Sequence, residues 1–500
     1  MNSSVRVRFA PSPTGFMHLG NVRTALINYL FAHHYKGTFI IRIEDTDQQR
    51  MFDVGAQGIL QDLQWLNLSF QEGPGVGGPH APYYQSERDA FYQEYLNLCI
   101  AQNKVYRCFC TTLELEKKRE RQIAQKLPPR YDRTCLTLSA ERIQENLDNQ
   151  VPFIWRFKLS DHQVTITDLA RGPITYNLKH FSDFAITRQD GSCTFIFANF
   201  VDDVLMNITH VIRGEDHLSN TANQAALYVG LGKPLPLFWH LPIIANTDGK
   251  KLSKRDFGFS LNDLRNAGYL PEAINNYLAI LGASLKSSSH DMASEIMSLE
   301  EIAQTFDFDH ITSTGQIKYD IEKLRWINQK WIQRISFDEF KQRIAPLLTL
   351  PSNTPASCHS ELDSGSTHLK KINHLLELIK PELITLNDVI EKTEFYFNAP
   401  KISCADLPET EKQLVPFLAA CLQEFQEQCA LPEEFIKSIA HKAKSEARTV
   451  KPLYAVLRRA LTGHAQGLSI KDIMTLLGKE ESYKRFSHLI NECNNPRDSK

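Results

Sequence analysis

The sequence lacks the features that mark several specialised classes. No apolar run approaches the roughly 20 residues that a membrane-spanning helix needs, which excludes an integral helical membrane protein. Neither sign of charge dominates: 56 Lys and Arg stand against 58 Asp and Glu, for a net charge of −2. Bulk basicity therefore does not point to nucleic acid, and such a partner would have to meet local patches. The ten cysteines are scattered at irregular spacing, which excludes a disulfide framework and fits a reducing cytosol. Repeats are absent, and the one biased stretch, Ser352–Thr367, is rich in Ser, Thr and Pro and is expected to form a surface loop. Met1-Asn2-Ser3-Ser4 runs into a strand pattern with no signal-peptide signature, so a cytoplasmic location is expected. The chain has 500 residues, 42% of them hydrophobic. That length suits roughly three to five domains with sizeable cores.

Two stretches carry most of the chemistry. Val5–Phe9 and Phe39–Ile43 read as short buried strands around a helix at about 18–35, a strand–helix–strand unit of the nucleotide-binding kind. Between the first strand and that helix runs Ala10-Pro11-Ser12-Pro13-Thr14-Gly15-Phe16-Met17-His18-Leu19-Gly20-Asn21. Pro11 and Pro13 enforce an extended entry, and a helix start near His18 leaves N–H groups that favour an anion. Gly20 lets a base approach the backbone, and His18 can reach phosphate. Far downstream, Lys250-Lys251-Leu252-Ser253-Lys254-Arg255 reads as a cationic loop. Together they point to ATP held between a fixed helix and a mobile loop. Taken singly, each stretch is also compatible with an ordinary turn or a solvated surface.

Residues 6–50 and 248–256 resemble the HIGH and KMSKS signatures of class I aminoacyl-tRNA synthetases. Gly77-Gly78-Pro79-His80-Ala81-Pro82-Tyr83-Tyr84-Gln85-Ser86-Glu87-Arg88 and Val211-Ile212-Arg213-Gly214-Glu215-Asp216-His217 narrow the resemblance to the bacterial-type glutamyl-tRNA synthetases. It runs from about residue 5 into the last forty residues. Asn21 stands where HIGH has its second histidine, and Leu252 and Arg255 replace the methionine and final serine of KMSKS. The fold this implies is α/β: a Rossmann-like catalytic domain (1–102 and 191–245) interrupted by an α+β acceptor-binding insertion (103–190). A stem-contact region with the lysine loop (246–334) and an all-α anticodon-binding region (335–500) follow.

The resemblance implies ATP-dependent attachment of L-glutamate to tRNA(Glu) in two steps, adenylate formation and then transfer to the terminal ribose, with Mg²⁺ accompanying ATP. His18, Lys251 and Lys254 would stabilise the phosphates, and His18, Gly20, Asn21, Asp216 and Lys254 would bind ATP. Glutamate, with two carboxylates and an ammonium, needs two cations and an anion. Arg8 and Arg213 sit at strand ends that face the crevice, and Glu44 ends the second strand. The family's pocket maps onto Arg8, Ala10, Ser12, Glu44, Asn199 and Arg213, with Phe195 in place of its tyrosine. An alternative is that Arg8 and Glu44 merely form a cross-strand ion pair.

In the insertion, Cys108, Cys110, Tyr131 and Cys135 match a zinc site in some relatives, although Thr137 occupies the position of that family's histidine ligand. Zinc and ordinary reduced core cysteines both remain open. Basic candidates for tRNA contact are Lys117, Lys118, Arg119, Arg130 and Arg133, then Lys442, Lys444, Arg448, Lys451, Arg458 and Arg459. Glu382 aligns with an arginine that in the family helps reject the glutamine anticodon, so tRNA(Gln) stands as an alternative acceptor. Further alternatives are a glutamyl-queuosine tRNA(Asp) synthetase and a non-catalytic tRNA-binding paralogue. The helical third argues against the first, and the intact phosphate motifs argue against the second. A monomer and no membrane partner are expected.

Overall fold

β2 (Thr38–Ile41) is an apolar run and β1 (Arg6–Phe9) alternates arginine with apolar residues, yet both strands bury their last three residues, because both faces are covered. The two strands are parallel, with Arg6 opposite Thr38 and Phe9 opposite Ile41. Pairing continues past β2: Arg42 N–H donates to Phe9 O at 3.1 Å and Glu44 N–H to Pro11 O at 3.0 Å. The helix between them, α1 (Leu19–His34), is apolar on most of its circumference, with Leu19, Val22, Ala25, Leu26 and Leu30 all fully buried. Such a helix must lie inside a layered fold.

The computed structural model describes residues 4–13, 15–46, 56–160, 162–253, 255–281, 295–306, 308, 315, 317–348, 367–428 and 432–494. They divide into two units, Met1–Ile327 and Asn328–Lys500. Of the expected loop at 352–367, all but Thr367 lies outside the described residues.

In the first unit α2 (Gln57–Trp65) and α3 (Asp89–Ala101) precede the stretch expected as an insertion. That stretch holds β3 (Val105–Cys108), α4 (Thr112–Ala124), α5 (Ala140–Asp148), β4 (Ile154–Phe157), β5 (Gln163–Asp168), β6 (Gly172–Asn177) and β7 (Phe184–Ala185). β3, β4 and β7 form their own three-stranded antiparallel sheet. A capping box between Thr111 and Glu114 starts α4, and neither α4 nor α5 buries a residue, so both are surface helices.

The hairpin β5–β6 behaves differently. With β8 (His210–Gly214) and β9 (Leu237–Leu241) it makes a sheet of order β6-β5-β9-β8, in which β5–β9 and β8–β9 are parallel. Sheet pairing thus ties part of the 103–190 stretch to the layer of β8 and β9. Thr209 links this sheet to β1: its N–H donates to Arg6 O at 3.0 Å, and its O accepts from Leu237 N–H at 2.9 Å. α6 (Phe195–Leu205) and α7 (Leu218–Gly230) bury Phe197, Phe200, Val201 and Leu227 against Phe238 and Val211. The unit ends with β10 (Ile244–Ala245), α8 (Leu261–Asn266), α9 (Pro271–Ile280), α10 (Leu299–Thr305), β11 (Ile317–Lys318) and the start of α11 (Ile321–Arg334).

The described part of the second unit is helical: α12 (Phe337–Ile344), α13 (Thr367–Ile379), α14 (Asp388–Phe397), α15 (Glu409–Lys412), α16 (Val415–Gln428), α17 (Pro432–Ser445), α18 (Val450–Thr462), α19 (Ile470–Leu477) and α20 (Lys479–Asn494). Phe435, Leu453, Leu457, Ile473 and Phe486 form its core. Buried Arg485 donates through Nη1 to Phe395 O and Leu461 O, both at 2.7 Å. One guanidinium so satisfies carbonyls at the C-terminal ends of α14 and α18, where a cation also complements the helix dipole.

Candidate active site

The carboxyl ends of β1, β8 and β9, the chain just beyond β2 and the start of α1 enclose a cavity of about 300 Å³. Parallel α/β sheets place ligands at this edge. Arg8, Ala10, Ser12, His18, Gly20, Asn21, Glu44, Phe195, Asn199, Arg213, Asp216 and Lys251 all line it. Lys254 lies outside the described residues.

On one side stands the helix start. His18 N-caps α1 by accepting the Asn21 N–H on Nδ1 at 3.2 Å. That bond needs the Nδ1 lone pair, so the ring proton sits on Nε2, a donor. Burial, and then the Lys251 charge, push His18 below the usual histidine range and keep it neutral. Phe259 stacks on the ring, with centroids 5.2 Å apart. A Cβ on Gly20 would lie 3.1 Å from both Nδ1 and Cε1 of His18, so the glycine makes room for the capping ring as well as for a ligand. Lys251 Nζ donates to Asp216 Oδ2 at 3.0 Å, with both side chains about half exposed. A solvated pair of this kind is weak and can be exchanged for a phosphate oxygen. The lysine loop is anchored by Leu252 N–H to Ile244 O at 3.0 Å.

On the other side lies a buried charge network. Arg8 Nε and Nη2 bond Asp203 at 3.1–3.3 Å. Arg42, fully buried, donates Nη1 to Asp203 Oδ1 at 2.7 Å and Nη2 to Glu44 Oε1 at 3.1 Å. The cross-strand Arg8–Glu44 pair that the sequence left open is therefore not formed, because α6 supplies Asp203 to Arg8 and β2's end supplies Arg42 to Glu44. Asn199 Nδ2 also donates to Glu44 Oε1, at 2.5 Å, and its Oδ1 accepts from Gln224 Nε2 at 2.9 Å. Asn199 thus lines the cavity while its amide holds Glu44. Burial pushes the Glu44 carboxyl up, and Arg42 and Arg8 oppose that without cancelling it.

Arg213 differs from its neighbours. It is 6% exposed, yet it has no carboxylate partner among the described residues. Nη2 donates to Thr221 Oγ1 at 2.8 Å and Nε makes no hydrogen bond. Burial, and then repulsion from Arg8, depress it to about 10. A desolvated, unneutralised guanidinium at a strand end is a site for an anion. Phe195 opens α6, and its ring lies 5.9 Å from that of His217.

The cysteine cluster also converges. The sulfur atoms of Cys108, Cys110 and Cys135 lie within 4.8 Å of one another. The Tyr131 hydroxyl is 3.3 Å from Cys108 Sγ and 3.8 Å from Cys110 Sγ, and it accepts the Cys135 N–H at 3.1 Å. Three thiols and one oxygen at these separations match the ligand count and spacing of a tetrahedral site. Thr137 is exposed and its Oγ1 donates to Thr134 O at 3.2 Å.

Several of the basic candidates have structural partners. Arg133 bonds Asp183 and Leu159 O, Arg458 bonds Leu468 O and Ala465 O, and Arg459 pairs with Glu411. The reading from sequence missed Asp202, Asp203 and Arg42, as well as Gln224, Thr221 and His240. The available signals were adjacent aspartates in the apolar helix Phe195–Leu205 and an arginine flanked by Ile41 and Ile43.

The profile of the family "tRNA synthetases class I (E and Q), catalytic domain" matches residues 4–326, and that of "Anticodon binding domain" matches 321–490. The chain is 38% identical over 493 residues to glutamate–tRNA ligase 1 of Pseudothermotoga lettingae, covering 97% of this chain and 100% of the relative. It is 34% identical to glutamate–tRNA ligase of Bacillus subtilis, covering 98% and 100%. A solved glutamate tRNA ligase from Elizabethkingia meningosepticum, in complex with its amino acid, is similar at TM-score 0.83 and 32% identity, with 98% and 99% coverage.

Proposed function

The chain belongs to the class I tRNA synthetases of the glutamate and glutamine group and charges tRNA with glutamate, and from that premise we propose how its residues do so. Arg213 and Arg8 take the two carboxylates of glutamate, and Glu44, held by Arg42 and Asn199, takes the ammonium. Buried Arg213, without a carboxylate partner among the described residues, is the observation that carries this reading. His18 Nε2–H and Lys251 would meet the phosphate oxygens of ATP, whose remaining charge Mg²⁺ would share, Gly20, Asn21 and Asp216 complete the nucleotide side, and Lys254 acts with them. No protein nucleophile is needed. The substrate's carboxylate attacks the α-phosphorus and pyrophosphate leaves, so catalysis is positioning and charge stabilisation. The terminal ribose hydroxyl of tRNA then displaces AMP.

The stretch 103–190 is proposed to meet the acceptor end, 246–334 the stem, and 335–500 the anticodon. The cysteine cluster with Tyr131 is proposed to hold a structural zinc ion; elemental analysis should find about one equivalent, lost in Cys110→Ser. We read the protein as a monomer acting in the cytoplasm on tRNA(Glu). One observation favours tRNA(Gln) as a second acceptor: Glu382 lines a cavity of about 520 Å³ and is paired with Lys392 at 3.1 Å, so no cation at position 382 is there to reject a base. Purified protein, labelled glutamate and separate tRNA transcripts test both. Charging of neither transcript refutes the proposed roles, and charging of tRNA(Glu) alone refutes the second acceptor.

A further inference from the structure

Three consecutive strands and one helix build a buried chain of hydrogen bonds behind Arg213. In the sheet order β5-β9-β8, Asp168 ends β5, His240 lies in β9 and Arg213 in β8, where Arg213 and His240 are direct register partners. Thr221, in the first turn of α7, closes the gap. Asp168 Oδ2 accepts from His240 Nδ1 at 2.7 Å and from the His240 N–H at 3.1 Å. Its Oδ1 accepts the N–H groups of Ala170 and Arg171 at 2.9 and 3.0 Å, so the carboxylate is fully satisfied. His240 Nε2 lies 2.9 Å from Thr221 Oγ1, and Arg213 Nη2 donates to that same oxygen at 2.8 Å. All four residues are buried, with exposures of 1% for Asp168, 0% for His240 and Thr221, and 6% for Arg213.

The chemistry fixes the direction of each bond. An ionised carboxylate only accepts, so His240 carries its proton on Nδ1 and presents a bare lone pair at Nε2. A buried lone pair left unmet is costly, and the Thr221 hydroxyl is the donor in reach. That hydroxyl also lies 3.1 Å from His217 O, but it has one proton, which Nε2 claims. The oxygen lone pairs are then free to accept from Arg213. Burial pushes His240 below the usual histidine range, which keeps the ring neutral beside the guanidinium. Asp203 grips Arg8 directly and neutralises it. Arg213 is instead oriented by a neutral oxygen, with the carboxylate two groups further back, so its charge stays available to a ligand.

We propose that Asp168, His240 and Thr221 are positioning residues that aim Arg213 at the substrate carboxylate through a neutral acceptor. This rests on the reading of Arg213 as a glutamate contact. The test is steady-state charging at saturating tRNA, varying glutamate and ATP separately. Thr221→Val keeps the shape and removes the acceptor. It should raise the KM for glutamate about tenfold, as for one lost bond to a charged group, and leave the KM for ATP within about twofold. Thr221→Ser should restore the parent values, which a purely steric role for the threonine would not predict. In an Arg213→Ala background, Thr221→Val should lower kcat/KM for glutamate by less than about twofold further. Independently of activity, ¹⁵N NMR of the parent, assigned with His240→Gln, should show the His240 proton on Nδ1. If Arg213→Ala raises the glutamate KM but Thr221→Val leaves it unchanged, or raises both KM values equally, the relay is refuted and the Arg213 contact stands. If Arg213→Ala leaves the glutamate KM unchanged, the contact fails and the relay with it. A proton on Nε2 of His240 also overturns the relay.

Discussion

Replacing Arg213 by methionine should stabilise the ligand-free protein while abolishing its use of glutamate. The guanidinium is 6% exposed, makes one side-chain hydrogen bond and faces no carboxylate among the described residues. Burial and Arg8 depress it to about 10. A depression of that size corresponds to about 3 kcal/mol against the charged form, at about 1.4 kcal/mol per pKa unit. The variant gives up the Thr221 bond, worth about 1.5–3 kcal/mol with a charged donor. It keeps most of the buried volume, because methionine is flexible and apolar. The balance favours the variant by up to about 1.5 kcal/mol, and each kcal/mol raises the melting temperature by about 1–2 °C for a unit of this size. Thermal melts with and without glutamate provide the assay. The parent should be protected by glutamate according to its occupancy, and the variant should not. Charging by the variant should fall by at least about a hundredfold at parental KM concentrations of glutamate. A variant less stable than the parent by more than about 1 kcal/mol would mean that the protein itself compensates the Arg213 charge, and the reasoning about an anion site would fail.

Asp203→Asn should act in the opposite sense: it leaves the buried guanidinium groups of Arg8 and Arg42 without their shared carboxylate, and urea unfolding should show a loss of about 3–5 kcal/mol. An unchanged midpoint would remove Asp203 as the organiser of the network. His18→Ala should reduce charging by about a hundredfold or more by removing a preorganised donor to phosphate, and should cost about 1 kcal/mol through the lost cap. His18→Asn should recover the cap but not the charging rate; recovery of both would show that His18 matters only as a cap. Burial, and then Arg213, push His217 down to about 4. Between its ordinary value near 6.5 and about 4, the unfolded chain binds a proton that the folded one refuses, so this contribution is complete above about 6.5 and is lost as pH falls through that window. His217→Gln should flatten the slope of stability against pH there by up to about one proton; an unchanged slope would place the titration elsewhere.

The two faces of the cavity were unequally legible. The face proposed for the nucleotide was legible as a cluster because its residues are nearly consecutive: a strand, a proline turn and a helix start put His18, Gly20 and Asn21 in one place through local geometry alone. Arg8 and Arg213 were readable as strand-end residues. Their partners were not, because Asp203, Thr221 and His240 reach them only through the sheet order and the packing of α6 and α7 on it. A single sequence fixes strand periodicity but not which strands become neighbours. The same gap explains the β5–β6 hairpin. Its composition placed it with the insertion, while its hydrogen bonds to β9 belong to the catalytic layer. The adjacent Asp202 and Asp203 in an apolar helix were a signal that the reading from sequence did not use. Buried carboxylates require buried cations, and Arg8 and Arg42 were available between apolar neighbours.

Charge balance supplies a reason for selectivity that no single contact gives. Around the amino-acid side of the cavity, Arg8, Arg42 and Arg213 face Asp203 and Glu44, so with both carboxyls ionised three positive charges meet two negative ones. Arg88 and Asp202 add one charge of each sign, with Asp202 also 3.5 Å from Arg42, and leave that balance unchanged. The cavity therefore has one positive charge in excess, located on the guanidinium that lacks a carboxylate. L-glutamate carries one net negative charge at neutral pH, and on the proposed assignment it brings the sum to zero. Glutamine fits the same volume but is neutral, and would leave Arg213 buried against an amide. An unpaired buried charge costs several kcal/mol, far more than the difference in shape between an amide and a carboxylate. On that assignment the excess charge is relieved by an amino acid of net charge −1 and not by a neutral one. A neutral acceptor at Thr221 preserves that excess where a carboxylate would remove it.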